Sequence, residues 1–289
     1  MAKLKRKIVQ ALTSIIYNAY IPGFLKGDIY RGNLKKICVP GLNCYSCPGA
    51  IGSCPIGSLQ AVLGSNKYQI SFYVLGFLTL IGTLIGRLVC GWLCPFGLIQ
   101  ELIHKIPSRK IKISSRNPLK YLKYLILIIF VFILPMFLVN VIGMGDPYFC
   151  KLICPAGTLE AGIPLVTLNE PLRQAVGFLF YWKMFILIVI VVASVFIARP
   201  FCRFICPLGA VYGIFNPISL YKLEIIDERC IKCNKCTKVC PISIETYKTP
   251  NSPECIRCGE CITNCPTKAI CSSFSFKDNK GKIIEIKTK

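Results

Sequence analysis

Histidine is nearly absent: His104 is the single one in 289 residues. Haem held by paired imidazoles is thereby excluded, and so is covalent haem attachment, because no C-x-x-C-H occurs. Methionine is scarce as well, with 4 residues, which leaves little for a thioether-lined copper path. Acids are few, 13 against 35 Lys and Arg, and no Ser–His–Asp arrangement can be assembled from them. No P-loop is present, and Gly143-Met-Gly145 alone is too short for a dinucleotide fingerprint. A cleavable leader is not expected, since no compact apolar core with a small-residue cleavage site follows the basic start at 1–7.

What the chain has is cysteine, 19 residues, and apolar sequence, with 54% hydrophobic residues and a mean hydropathy of +0.57. The formal charge of +22 does not point to nucleic acid. The basic residues sit beside apolar stretches, the pattern that orients a chain in membrane lipid. Ligating cysteines are thiolates, so metal binding would cancel part of that charge. In an extracellular protein this much cysteine would read as disulfides. The run described next points instead to the reducing side of a membrane.

From Cys230 the chain reads C-I-K-C-N-K-C-T-K-V-C-P, and from Cys255 it reads C-I-R-C-G-E-C-I-T-N-C-P. Each half fits the C-x2-C-x2-C-x3-C-P run of cubane iron–sulfur proteins, in which the fourth cysteine serves the other cluster. The spacing assigns Cys230, Cys233, Cys236 and Cys265 to one 4Fe-4S cluster, and Cys255, Cys258, Cys261 and Cys240 to a second. Pro241 and Pro266 stop the turn and aim the preceding thiolate sideways. Zinc sites use paired C-x2-C spacings, not a four-member run written twice. Cys271 is out of register and reads as a structural thiol.

Four apolar stretches, 8–25, 68–88, 124–142 and 179–198, read as membrane spans. The segment 105–123 carries seven Lys or Arg and no acid, which places it in the cytoplasm together with the N-terminus, Arg199 and Arg203. Lys26, Arg31, Lys35 and Lys36 then fall outside, a smaller violation than the reverse orientation would bring. The expected architecture is an all-α membrane domain of four transmembrane helices over 1–220. A small α+β ferredoxin-like domain follows over 221–289, with a first strand at 221–226 and a hairpin over 274–286 turning at 278–281. Both chain ends lie in the cytoplasm of a multi-pass cell-membrane protein. His104, Trp92 and Trp182 read as interfacial residues.

C-P-x-G is written four times, at Cys54, Cys94, Cys154 and Cys206, and three copies carry a second cysteine four residues earlier, at Cys90, Cys150 and Cys202. Set on the four spans, the copies alternate outside and inside. That is a parallel two-fold repeat about the membrane normal. It predicts an inner metal site of Cys90, Cys94, Cys202 and Cys206. It predicts an outer site from four of the six residues Cys38, Cys44, Cys47, Cys54, Cys150 and Cys154. Proline after cysteine suits the first position of a helix and leaves the thiol at its N-terminus. One or two further iron–sulfur clusters fit these cysteines. Passive packing of cysteine in buried helices and redox-active disulfides are the alternatives. Arg87 and Arg199, matched in position, either balance cluster charge or snorkel to the interface.

On Cys90/Cys94-Pro95, Cys202/Cys206-Pro207 and the eight ferredoxin cysteines, the chain from about 38 to 270 resembles the NapH/NosR-type membrane ferredoxins, to which the CcoG-type proteins are related. The resemblance implies electron transfer between a quinol pool or a cytoplasmic donor and redox proteins outside, with a copper-related maturation role in the CcoG-type relatives. Two features depart from it: NosR-type members carry an outer flavin-binding domain that this chain lacks, and the N-C-Y-S-C-P loop and Cys150/Cys154 are not required of NapH. The expected function is a membrane-bound relay from a cytoplasmic electron donor to an extracytoplasmic redox protein, a flavoprotein among the candidates. A NapH-like quinol dehydrogenase subunit, with quinone as partner, is the second expectation. Either way the chain is an electron-transfer subunit of an oxidoreductase system and not a stand-alone enzyme.

Overall fold

The computed structural model describes residues 2–65, 72–114, 117–140 and 144–274. Its architecture is mostly helical, and the longest apolar runs set the longest helices. Phe178–Phe196, with 19 residues, and Pro118–Phe137, with 20, are long and apolar enough to cross a membrane. At 1.5 Å per residue each reaches close to ~30 Å. Phe178–Phe196 turns Phe185, Ile188 and Val192 outward and keeps Leu187, Ile190 and Ser194 inward. An apolar helix with its large side chains outward suits lipid better than water. In Pro118–Phe137 the segment Leu127–Ile133 winds as a π-helix just before Pro135. Proline denies one carbonyl its N–H partner and crowds the preceding turn, and a widened turn absorbs both effects.

The other two expected spans are shorter. Phe72–Ile85 has 14 residues, and 66–71 lie outside the described residues. The stretch 8–25 is not one helix. Ala2–Tyr17 ends, and Ile21–Lys26 starts separately. Two residues break it: Asn18 turns its Nδ2 to Ser14 O and Asn43 Oδ1, and Pro22 lacks the N–H that a continuing helix needs. Ala2–Tyr17 is amphipathic, with Arg6 and Gln10 buried on one face and Leu4, Ile8, Leu12 and Ile15 exposed on the other.

Each of the four C-P-x-G copies starts a helix. Cys54, Cys94, Cys154 and Cys206 are extended N-cap residues before Pro55, Pro95, Pro155 and Pro207. Three five-residue helices precede them, Leu88–Trp92, Tyr148–Leu152 and Pro200–Phe204, each with its cysteine third in line. The linking turn is also the same. Cys94 N, Cys154 N and Cys206 N donate to Val89 O, Phe149 O and Phe201 O at 3.1, 2.9 and 2.9 Å.

Strand β1, Tyr221–Ile225, pairs antiparallel with β2, Ile270–Phe274, placing Tyr221 opposite Phe274 and Ile225 opposite Ile270. The strand expected at 221–226 is therefore present, whereas the hairpin expected over 274–286 lies, apart from Phe274, outside the described residues. The two cysteine runs lie between these strands in the chain. Ile242, Ile244 and Ile256 of this part join Val89, Phe96, Phe201 and Tyr212 of the helical part in one buried core.

Candidate iron–sulfur sites

The two ferredoxin runs fold alike. Left-handed backbone recurs at matched places, Lys232, Asn234 and Ser243 in one run and Arg257, Gly259 and Lys268 in the other. Such turns aim successive N–H groups to one side, which favours an anionic group there. Cys230, Cys233, Cys236 and Cys265 line one small cavity, and Cys240, Cys255, Cys258 and Cys261 line a second. Burial pushes the Cys258 and Cys261 thiols up to about 12. Buried thiols of this kind become thiolates through metal binding, not through pH. Cys265 differs: burial raises it, but the N–H groups of Ala269, Thr267 and Ile270 and the Thr267 hydroxyl outweigh that and hold it below the usual range. Among the described residues, no three Cys, His, Asp or Glu groups converge tightly enough for a single ion. Four cysteines to a site in the C-x2-C-x2-C-x3-C-P spacing suit a cluster better than a lone zinc.

In the helical part Cys90, Cys94, Cys202 and Cys206 are neighbours, and all four are buried. Arginines cross between the two pairs. Arg87 Nη2 donates to Cys202 O at 2.9 Å, and Arg199 Nη1 donates to Cys90 O. Both arginines are 1% exposed, so they do not snorkel to an interface. Arg87 Nη1 also meets Glu254 Oε2 at 3.1 Å, and Lys123 Nζ meets Glu254 Oε1 at 2.5 Å. Arg199 and Arg6 share Glu101, each at 2.8 Å. Gln100 adds a donor: its Nε2 lies 3.1 Å from Cys202 Sγ, while its Oε1 accepts from Phe201 N at 3.1 Å.

The outer cysteines divide. Cys44, Cys54, Cys150 and Cys154 line one cavity of about 750 Å³. Cys38 faces Ser53 and Ser58, and Cys47 faces Asn18, so neither joins that wall. Gln60 repeats the part of Gln100: its Nε2 is 3.4 Å from Cys150 Sγ and its Oε1 accepts from Phe149 N at 2.9 Å. Lys183, on Phe178–Phe196, reaches the same cavity. Buried Asn43 lines it as well, and its Nδ2 has no acceptor among the described residues. Four sulfurs, a free amide donor and an ammonium fit an anionic cluster.

The sites adjoin one another. Cys236 and Cys261, one from each ferredoxin site, share a small buried core with Leu223 and Ile270. Gly91, next to Cys90, packs on Ile256, next to Cys255. A Cβ at Gly91 would stand 2.2 Å from Ile256 O, so glycine alone fits. Between inner and outer sites runs the segment 41–43. The backbone of Leu42 lies beside the Cys94 thiol, and that of Asn43 beside the Cys54 thiol. Buried Tyr212 stands beside Cys90 and Cys54 and donates to Pro40 O at 3.1 Å.

Sequence reasoning named all the cysteines but missed Gln60, Gln100, Glu101, Glu254, Lys183 and Asn43. A signal for the glutamines existed, because the motif continues as C-P-x-G-x-x-Q at both Cys54 and Cys94. His104 is held by Ser194 O at 3.0 Å, and Trp92 by Arg257 O at 3.0 Å, so Trp92 seats the ferredoxin part.

Comparison with known proteins finds iron–sulfur relatives. A 4Fe-4S binding domain model matches three times, at 68–114, 123–163 and 179–224, and a 4Fe-4S dicluster domain matches 222–266. The uncharacterized protein MJ0750 of Methanocaldococcus jannaschii is 32% identical over 212 residues, covering 71% of this chain and 78% of its own. The putative electron transport protein YccM of Escherichia coli is 28% identical, over 69% of this chain and 54% of its own. The ferredoxin-type protein NapH of Haemophilus influenzae is 27% identical, over 75% and 66%. No solved structure matches. The chain is an iron–sulfur electron-transfer protein that binds 4Fe-4S clusters.

Proposed function

We propose a route for electrons on one premise: the chain belongs to the NapH/NosR-type iron–sulfur electron-transfer proteins. The protein is read as a relay across a cell membrane, with four cluster sites in line. Cys230, Cys233, Cys236 and Cys265 would hold the first, and Cys240, Cys255, Cys258 and Cys261 the second. The inner four are Cys90, Cys94, Cys202 and Cys206, and the outer four are Cys44, Cys54, Cys150 and Cys154. Bound clusters supply reversible one-electron chemistry. The chain's own part is to fix spacing, exclude water and balance charge. Arg87, Arg199 and Lys183 provide positive charge, and Gln60 and Gln100 provide donors to sulfur.

One observation carries the reading. The candidate sites lie next to one another: Cys236 and Cys261 share one small core, Gly91 beside Cys90 packs on Ile256 beside Cys255, and Leu42–Asn43 runs between Cys94 and Cys54. A hydrocarbon core of ~30 Å is too wide for one efficient hop, and a chain of adjoining sites removes that obstacle.

Topology follows the same proposal. The three matched segments, the identical Cys-Pro turns and the crossing arginines support a parallel two-fold repeat. Four spans then make 1–220 the membrane domain, with the stretches 8–25 and 68–88 as the shorter crossings. The basic segment 105–123 and the domain 221–289 lie in the cytoplasm. The donor is a cytoplasmic carrier, and the acceptor is a redox protein outside, a flavoprotein among the candidates.

Purified protein in sealed vesicles tests this. With a membrane-impermeant reductant on the ferredoxin side, an acceptor trapped inside should be reduced, and Cys54→Ser should abolish that reduction. Trapped acceptor that stays oxidised with intact protein would overturn the relay. The outer cavity of about 750 Å³ also favours a second reading, because it is of the size that admits a small organic ligand. A quinol would then deliver electrons there, and adding quinol anaerobically to protein alone should bleach the clusters.

A further inference from the structure

Ile231 and Ile256 occupy the same place in the two ferredoxin runs, one residue after the first cysteine. Ile256 is 3% exposed, pressed on Gly91, whereas Ile231 is 66% exposed. The residues around them follow suit. Arg257 is buried, donating to Ile85 O, Asn216 O and Ser219 Oγ, while its counterpart Lys232 lies in solvent together with Cys233, Asn234 and Lys235. One copy of the loop face is thus a docking surface already in use inside the protein, and the other copy is open.

The open copy is basic. Arg229, Lys232, Lys235, Lys238 and Lys268 surround the first site, and Lys112 reaches in to Lys238 O at 3.2 Å. Among the described residues, exposed Asp227 and Glu228 directly precede Arg229. Among the described residues, none of these Lys and Arg groups is in an ion pair. An exposed apolar centre inside a predominantly basic rim is the layout of a transient protein contact, where opposite charge steers encounter and apolar area fixes register.

We infer that the Ile231–Lys235 face is the docking port for a small soluble one-electron carrier with an acidic surface. The inference rests on the relay proposed above, since it names that relay's cytoplasmic partner. Docking brings the carrier's redox centre to the exposed Cys233 edge. One electron leaves the reduced carrier and enters the first site, with no bond made or broken and no proton required.

The test uses full-length protein with its clusters, in discs of neutral lipid, and a chemically reduced acidic ferredoxin as probe. Stopped-flow rates should fall at least about tenfold as salt rises from low to ~0.3 M. They should fall about tenfold again at low salt in Lys232→Glu/Lys235→Glu/Lys238→Glu, and by a smaller factor in Ile231→Ser. Iron content and the rate with dithionite should not change. A carrier rate that ignores both salt and charge reversal would overturn the port while leaving the relay standing. A wild type whose clusters dithionite cannot reduce would remove the relay itself. If the face instead lies on anionic headgroups, discs of anionic lipid would suppress the carrier rate and charge reversal would restore it, which also overturns the inference.

Discussion

Arg87 ties the carbonyl oxygen of Cys202, 2.9 Å from its Nη2, to the carboxylate of Glu254, 3.1 Å from its Nη1. Cys202 belongs to the inner site, and Glu254 directly precedes Cys255 of the second ferredoxin site. A single guanidinium therefore holds two candidate clusters in fixed relation, and it does so while buried. Its planar fork allows the two contacts at once, which a lysine ammonium on one stem does not reproduce.

Replacing Arg87 with Met should leave Glu254 with Lys123 as its remaining ion partner and strip the Cys202 and Pro253 carbonyls of a charged donor, a loss on the order of 1–3 kcal/mol. The expected outcome is lower thermal stability and reduced electron transfer between the ferredoxin and inner sites at near-normal ferredoxin spectra. Arg87→Lys should recover stability more than transfer. Variants with unchanged transfer would show that Arg87 only packs.

Gln100 and Gln60 should tune their own sites independently. Losing one N–H···S donor, worth about 0.5–1.5 kcal/mol, corresponds to roughly 20–60 mV for a one-electron couple. Gln100→Leu should lower one reduction potential by that amount, Gln60→Leu a different one, and the double variant both. Redox titration followed by electron paramagnetic resonance reads this directly. A shift of the same signal by both variants would contradict the two-site layout.

The division of the outer cysteines is equally exposed to test. Cys44→Ser, Cys54→Ser, Cys150→Ser or Cys154→Ser should each remove about one cluster's worth of iron, about four atoms per chain. Cys38→Ser and Cys47→Ser should remove none. Iron loss from Cys47→Ser with none from Cys44→Ser would exchange their roles.

Glu101 gives a pH dependence with a definite sign. Burial raises its carboxyl, but Arg199 and Arg6 outweigh that and hold it below the usual carboxylate range. Its contribution to stability is therefore complete above the ordinary value of ~4.3 and is lost as pH falls through the lower folded value. Hydrogen exchange over Ala2–Tyr17, which Arg6 pins to Glu101, should accelerate in that acidic window. Glu101→Gln should exchange faster at neutral pH and show little further change on acidification. An identical acid slope in both proteins would place the titrating group elsewhere.

Much of the site was legible because cysteine spacing is chemistry written in one dimension. The assignment of Cys230 to Cys265 needed no fold, and the C-P-x-G copies announced their helix starts through proline alone. The spare outer cysteines were not legible, because Cys44 lies ten residues before Cys54 instead of four and the loop between them has no period. The break at Asn18 was hidden by an apolar average over 8–25, in which one side-chain hydrogen bond and Pro22 decide the outcome. For Arg87 and Arg199 the sequence left two readings open, cluster charge balance and interfacial anchoring. Their burial depends on partners, Glu254 and Glu101, that lie far along the chain.

Iron per chain, measured on anaerobically purified protein together with a spectroscopic count of cubane clusters, tests the central claim most directly. Four sites of four cysteines predict about sixteen iron atoms in four cubanes. About eight atoms in two cubanes, with the membrane cysteines recovered as thiols or disulfides, would contradict the relay and leave a ferredoxin tethered to lipid.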